Sequence, residues 1–296
     1  MVALVLAAGS GSRLAPLTFE LPKPLCPVGG QPLLDLALQR LDESELDEGL
    51  DEIADVVVNV HHRAADIISH LQPSSTAVSG ADRRWALAGA LGQSSASVGA
   101  PAVDAPAVDV PVRGQRRLWV SHERERALGT AGAIANIRPW LDGRGVLAVN
   151  ADTWTSASLA SLVAGWDGVT PRVLVVGDSF GPAAKVAGAL VPWVDVLTLP
   201  DTPSGLYEQC WAGHARSGNL EVVTSEAGFV DCGSPADYLR ANLAATAGVS
   251  SVAPTATVRG AITRCVLWPR AHVEVGEVLT DAIRTTAGRT VLVRTP

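Results

Sequence analysis

The chain has 296 residues, 47% of them hydrophobic, and a formal net charge of −7. That length suits one large domain or one domain with an appendage, and the apolar fraction is ample for a core. The negative balance excludes broad attraction to nucleic acid or anionic lipid, and no apolar run approaches the ~20 residues of a membrane span.

Val2–Leu6 reads as a short apolar strand, with no Lys or Arg before it to suggest a signal peptide. It runs into a small-residue loop, Ala7-Ala8-Gly9-Ser10-Gly11-Ser12-Arg13. Pro32 can start a helix, and Leu33, Leu34, Ala37, Leu38 and Leu41 give that helix an apolar face. The acidic run 42–52 reads as a solvated helix end and loop. Asp55–Val60 is a buried strand, and Ala64–Leu71 has helical spacing. From about 73 to 114 Ser, Ala, Gly, Pro and Val dominate, as in a flexible surface insertion. The α/β pattern then resumes with strands at Leu118–Ser121, Gly145–Asn150 and Arg172–Val176 and a helix opening at Gly129-Thr130-Ala-Gly132. Ser204–Ala215 reads as a helix, Leu220–Thr224 and Phe229–Asp231 as short strands, and Pro235–Ala245 as a helix with Pro at its start. In the tail, valines and isoleucines recur every four to seven residues from Val252 to Ile283. This resembles hexapeptide repeats of a left-handed β-helix; an irregular β-hairpin extension is the competing reading.

This alternation predicts an α/β fold: a Rossmann-like, mixed and mainly parallel sheet flanked by helices, with a short C-terminal left-handed β-helix-like extension. The expected domains are a catalytic one over 1–247, carrying the insertion, and a tail over 248–296. Cys26, Cys210, Cys232 and Cys265 lack C-x-x-C spacing, which speaks against a zinc site or a disulfide scaffold and fits a cytoplasmic chain.

The loop after the first strand carries the chemistry. Without bulky side chains its main-chain N–H groups can turn toward one anion. Arg13 and Lys23 add cations on either side of a Pro-rich segment, a combination suited to a nucleoside triphosphate. Only two lysines occur, Lys23 and Lys185, in a chain otherwise rich in arginine. Asp152 follows the strand ending at Asn150, and ligands gather outside the carboxyl ends of parallel strands. Asp231 ends a short apolar strand before a Gly-Ser-Pro turn. Helix-cap or turn roles are the competing readings for both acids.

As a whole string, Leu6 to Leu34 (LAAGSGSRLAPLTFELPKPLCPVGGQPLL) resembles the signature of sugar-1-phosphate nucleotidyltransferases. Asn150-Ala-Asp152 resembles the family's N-G-D motif, Phe229 to Tyr238 its W-x-D-x-G-T-P-x-x-Y, and Glu123 followed by Leu128 to Gly132 its E-x-x-x-L-G-T-A-G, with a spacing that differs by one residue. Asn59 and His61 resemble its V-N-x-H, with a capping Asn and a surface His as an alternative. The resemblance implies a nucleotide-diphospho-sugar transferase fold. It implies nucleotide contacts from Leu6, Ala7, Ala8, Gly9, Ser10, Gly11, Ser12, Arg13, Gly129 and Thr130, and Mg²⁺ held by Asp152 and Asp231. Catalytic duties fall on Arg13, Lys23, Asp152 and Asp231, and substrate contacts on Asn59, His61, Asn150 and Lys185. The family's E-K-P loop is absent; Phe180 to Lys185 lies in the corresponding region.

The implied reaction joins an NTP to a sugar-1-phosphate, releasing pyrophosphate, and looks most similar to that of mannose-1-phosphate guanylyltransferases. A uridylyltransferase for another sugar-1-phosphate and a non-catalytic NDP-sugar-binding subunit are the rivals. NTP and sugar-1-phosphate are the expected partners, with neither nucleic acid nor membrane, and a homo-oligomer formed through the tail is possible.

Overall fold

A computed structural model of the chain describes residues 1–43, 53–72, 85–91 and 116–293. They fall into two units. One comprises Met1–Gly9, Ala37–Asn150 and Ala157–Glu226, the other Ser10–Leu36, Ala151–Ser156 and Ala227–Pro296.

The first unit is built on an eight-stranded sheet: β1 Val2–Leu6, β2 Asp55–Val60, β3 Trp85–Leu91, β4 Arg116–His122, β5 Val146–Asn150, β6 Arg172–Val176, β7 Lys185–Val191 and β8 Glu221–Ser225. Their order is β8-β6-β7-β5-β1-β2-β4-β3. β7 runs antiparallel to both neighbours, and the remaining pairs are parallel. The central strands are apolar on both faces; Val2 to Val5, Val56 to Val58 and Val146 to Val149 are all buried. Such unbroken runs suit a parallel sheet covered on both sides. The helix Gly129–Leu141 covers one face, setting Ala131, Ile134, Ile137 and Leu141 in one core with Leu4, Val57, Val146 and Ala148.

Register aligns the strand ends. Leu6 stands opposite both Asn59 and Asn150, and Asn59 opposite Ser121. β7 enters from the same edge, because its first residue, Lys185, pairs with Val176 at the end of β6. At the start of β2, buried Asp55 receives Arg117 at 2.8 Å, Arg144 at 2.6 Å and the Trp119 indole at 2.9 Å. The carboxyl ends of β1, β2 and β5 thus lie in register along one edge, while the amino end of β2 is tied by charge.

Three sequence expectations change. β7 was not foreseen; its apolar run Val186–Val191 was there to read, but Gly188 and the following Pro192 blur it. β3 falls inside the stretch expected to be a flexible insertion and adds an edge strand beside β4. Residues 73–84 and 92–115 of that stretch, and 44–52 of the acidic run, lie outside the described residues. The helix expected over Ser204–Ala215 instead occupies Tyr207–Ser217, opening with a π-type turn at Tyr207–Trp211.

The second unit has its own core: Leu14, Leu17, Cys26, Leu33, Val230, Cys232, Tyr238, Leu239, Val266, Trp268 and Ile283. Residues from both sides of position 247 share it. A two-stranded antiparallel ribbon pairs Thr153–Thr155 with Phe229–Asp231. The helix Pro235–Ala245 follows, with Pro235 in its first turn and the Ser234 hydroxyl accepting the Asp237 N–H at 3.2 Å. The tail winds as a coil of short parallel ladders rather than a hairpin. Ser251 pairs with Val266 and Val266 with Ile283, Thr257 with His272, and Ala261 with Val278. Thr290–Leu292 closes it antiparallel to Ala282–Arg284.

Candidate active site

The ribbon of the second unit brings the two acids together. Asp231 stands opposite Thr153, and the Cys232 N–H reaches the Asp152 carbonyl at 3.4 Å, so Asp231 and Asp152, the residue before its partner, carry adjacent carboxylates. Between those carboxylates lies the Lys23 ammonium, 3.0 Å from Asp152 Oδ2 and 3.1 Å from Asp231 Oδ1. The Arg13 guanidinium is 3.6 Å from Asp231 Oδ2. The Lys23 side chain is 6% exposed, against 43% for Asp152, 50% for Asp231 and 79% for Arg13. The lysine is therefore a buried part of the floor, whereas both acids and Arg13 face solvent. Burial alone would lower the Lys23 pKa, but the two carboxylates outweigh it and hold it above 10.5, so the ammonium stays charged.

The signature segment folds to place that lysine. Gly11 has φ +61°, and a Cβ there would lie 2.9 Å from Lys23 Cβ and 3.0 Å from Thr18 Cγ2. Only glycine suits both the left-handed backbone and the passing lysine stem. Pro22 and Pro24 bracket Lys23 in a short 3₁₀ turn. The segment is anchored to the tail at two points. The Tyr238 hydroxyl donates to the Pro27 carbonyl and accepts from the Trp268 indole at 3.0 Å. The Glu20 carboxylate accepts from Thr285 Oγ1 at 2.6 Å and from the Ala287 N–H at 3.1 Å.

In the first unit a buried relay organises the carboxyl edge of the sheet. The Ala7 N–H donates to Asn59 Oδ1 at 2.7 Å, and Asn59 Nδ2 donates to Glu123 Oε1 at 2.7 Å. Glu123 Oε2 accepts the Leu128 N–H at 2.8 Å, and its backbone carbonyl lies 2.6 Å from His61 Nδ1. Burial raises the Glu123 pKa above 4.5, opposed by the hydrogen bonds from Leu128 and Asn59. Glu123 is fully buried, so it shapes the loops around it. It ties the end of β1 to the start of the helix Gly129–Leu141.

The expected residues therefore sort by neighbourhood. Arg13, Lys23, Asp152 and Asp231 form one cluster, with Gly11 beneath Lys23. Leu6, Asn59, Asn150 and Lys185 are aligned along the sheet edge of the first unit, together with Ala7, Ala8 and Gly9. Gly129, at φ +69°, would drive a Cβ to 2.5 Å from the Ser204 carbonyl oxygen, and Thr130 Oγ1 accepts the Leu206 N–H at 2.8 Å. Both serve first to seat the 202–206 segment. The sequence motifs contained Glu123 and Tyr238 without revealing what they hold, and Glu20 and Trp268 passed unremarked. Glu20, Tyr238 and Trp268 act through partners too distant in sequence to announce themselves.

Comparison with known proteins gives this arrangement its class. Residues 2–167 match the family model for nucleotidyl transferases. The chain belongs to that family of nucleotidyl-transferring enzymes. It is 28% identical over 272 residues to the N-acetylmuramate alpha-1-phosphate uridylyltransferase of Caulobacter vibrioides, a match covering 81% of this chain and 95% of that one. It is 35% identical over 72 residues to the UTP–glucose-1-phosphate uridylyltransferase of Synechocystis, where the match spans 17% of that protein. The fold is similar to a crystal structure described as a glucose-1-phosphate thymidylyltransferase from Bacillus anthracis, with TM-score 0.57 and 16% identity, covering 83% of this chain and 95% of that one. Among the described residues no helix is long and apolar enough to cross a membrane.

Proposed function

We propose that this protein joins a nucleoside triphosphate to a sugar-1-phosphate, giving an NDP-sugar and pyrophosphate. The observation that carries the reading is the Lys23 ammonium held between the Asp152 and Asp231 carboxylates, with Arg13 beside them. An attacking sugar-phosphate oxygen is already anionic, so no protein nucleophile is needed. The task is to hold two polyanions together, and like charges ~4 Å apart repel by about 4 kcal/mol at an effective dielectric near 20. Lys23 offsets that repulsion on the α- and sugar phosphates, and exposed Arg13 on the departing pyrophosphate. The resemblance of the motifs makes the main chain from Leu6 to Arg13 the candidate for triphosphate contacts, Gly129 and Thr130 for the base, and Asn59, His61, Asn150 and Lys185 for the sugar.

Asp152 and Asp231 also suit Mg²⁺. They offer hard oxygens from adjacent strand ends, half open to solvent, and this ion pairs a carboxylate or two with substrate phosphates and water. Bound there it would supply charge neutralisation on the phosphates. Lys23 would then exchange carboxylate contacts for phosphate oxygens.

The Leu128-Gly-Thr-Ala-Gly132 segment and the coiled tail support guanylyl transfer to mannose-1-phosphate. The Caulobacter relative, matched over nearly its whole length, favours a second reading as a uridylyltransferase for another sugar. Pyrophosphate release measured across four NTPs and a panel of sugar-1-phosphates, with and without EDTA, separates them. Turnover only with UTP excludes the guanylyl reading. No turnover with any pair, together with NDP-sugar binding that survives EDTA, replaces both with a regulatory subunit. Cytoplasmic residence and assembly through the tail are proposed on the sequence grounds given above.

A further inference from the structure

We propose that Asp195, Cys210 and His214 form a site for one zinc-class cation, built from residues that take no part in the phosphate chemistry. Asp195 lies in the turn Trp193–Val196. Cys210 and His214 sit four residues apart in the helical segment that begins with the π-type turn Tyr207–Trp211. Turns of this kind recur at functional sites. His214 Nε2 is 3.0 Å from Asp195 Oδ1, and Cys210 Sγ is 3.8 Å from Asp195 Oδ2. The three donor atoms all lie within 4.8 Å of one another.

Tetrahedral zinc with bonds of about 2.0–2.3 Å separates its ligand atoms by roughly 3.3–3.6 Å. The two spacings to Asp195, 3.0 and 3.8 Å, fall on either side of that range and run to its two different oxygens, so binding requires the carboxylate to turn one oxygen toward both neighbours. One sulfur, one imidazole nitrogen and one carboxylate oxygen make a borderline-soft donor set. That mixture suits zinc and disfavours Mg²⁺ or Ca²⁺, which take oxygen. Cys210 is buried in the apolar cluster with Val196 and Leu206, while the His214 side chain remains partly exposed. Three protein ligands leave the fourth position of a tetrahedral ion to water. On binding, the Cys210 thiol proton leaves to solvent. No C-x-x-C pattern marks the set, because it uses a single cysteine and borrows its carboxylate from another turn. The same atoms could be held as a hydrogen-bonded triad alone, with the Asp195 carboxylate accepting from both neighbours.

Cobalt(II) discriminates the two, since a thiolate ligand gives it a charge-transfer absorption that carboxylates do not. The full-length protein, saturated with Mg²⁺, is titrated with Co²⁺ and then with Zn²⁺. One cobalt per chain with a thiolate band, displaced by zinc, is expected. Cys210→Ser should abolish the band, and His214→Ala should weaken binding by more than about tenfold. Asp152→Asn combined with Asp231→Asn should leave the band unchanged. Zinc should raise the thermal midpoint of the wild type and not that of Cys210→Ser, whose near-UV circular dichroism reports its fold. A wild type without the band overturns the proposal, as does a band that survives Cys210→Ser or vanishes in the double aspartate variant.

Discussion

At the scale of single residues, Lys23 concentrates the physics. Its raised pKa has a definite sign for stability. Its contribution is complete below the unfolded value of 10.5 and is lost as pH rises through the higher folded value. Urea midpoints measured from pH 6 to 9 should therefore show no slope attributable to Lys23. Replacing it with alanine removes the cation from between two carboxylates and, on the proposed function, from the substrate phosphates. A loss of ~10²-fold or more in kcat/KM is expected, the scale found when one preorganised electrostatic donor is deleted. Lys23→Arg should recover little, because a planar fork does not fit where a compact ammonium sits. Gly11→Ala makes a related case. The methyl meets the lysine stem at 2.9 Å in a left-handed backbone, so activity should fall although no charge changes. Steady-state kinetics beside a thermal melt would show whether the loss exceeds what destabilisation explains.

At the scale of elements, the Ala7–Asn59–Glu123–Leu128 relay joins the ends of three parallel strands to the start of a helix. A carboxylate can accept at both oxygens, and both are used. Glu123→Gln places an amide NH₂ against a donor N–H and leaves one buried group unmatched, at a cost of about 1–3 kcal/mol. The substitution should also alter the pH dependence. Because the folded pKa of Glu123 lies above 4.5, the folded state binds the extra proton, and stability declines as pH climbs from that value through the folded one. Chemical denaturation across that window should show a flatter slope in the glutamine variant. If both proteins follow the same slope, Glu123 is not the titrating group. The elements themselves were largely legible. β1, β2, β5 and β6 announce themselves as unbroken apolar runs, and the helix Pro235–Ala245 by its Ser-Pro start. β7 was harder to read, because Gly188 and Pro192 blur its apolar run and its antiparallel direction depends on which neighbours accept it.

At the scale of the whole molecule, the tail cannot be treated as an accessory. Trp268 is fully buried in the core of the second unit, beside Tyr238 and the signature residues Leu14 and Leu17. Truncating a buried tryptophan to alanine costs about 3–5 kcal/mol. Trp268→Ala should therefore lower the thermal midpoint sharply, and removal of residues 248–296 should yield aggregated protein rather than an active core. A soluble, active truncation would show that the signature segment holds Lys23 without the coil.

The amino-acid sequence by itself determined the strand–loop–cation string from Leu6 to Lys23, the alternation that makes the sheet, and the two acids at strand ends. Each of these is local, written in contiguous residue types whose backbone preferences and polarity act over a few positions. Only the tertiary structure decided that Lys23 lies between Asp152 and Asp231, 129 and 208 residues away. It also decided that Glu123 faces inward, and that one thiol, one imidazole and one carboxylate meet. Such meetings depend on burial and ladder register, in which long-range packing selects among partners that the linear chain leaves equivalent.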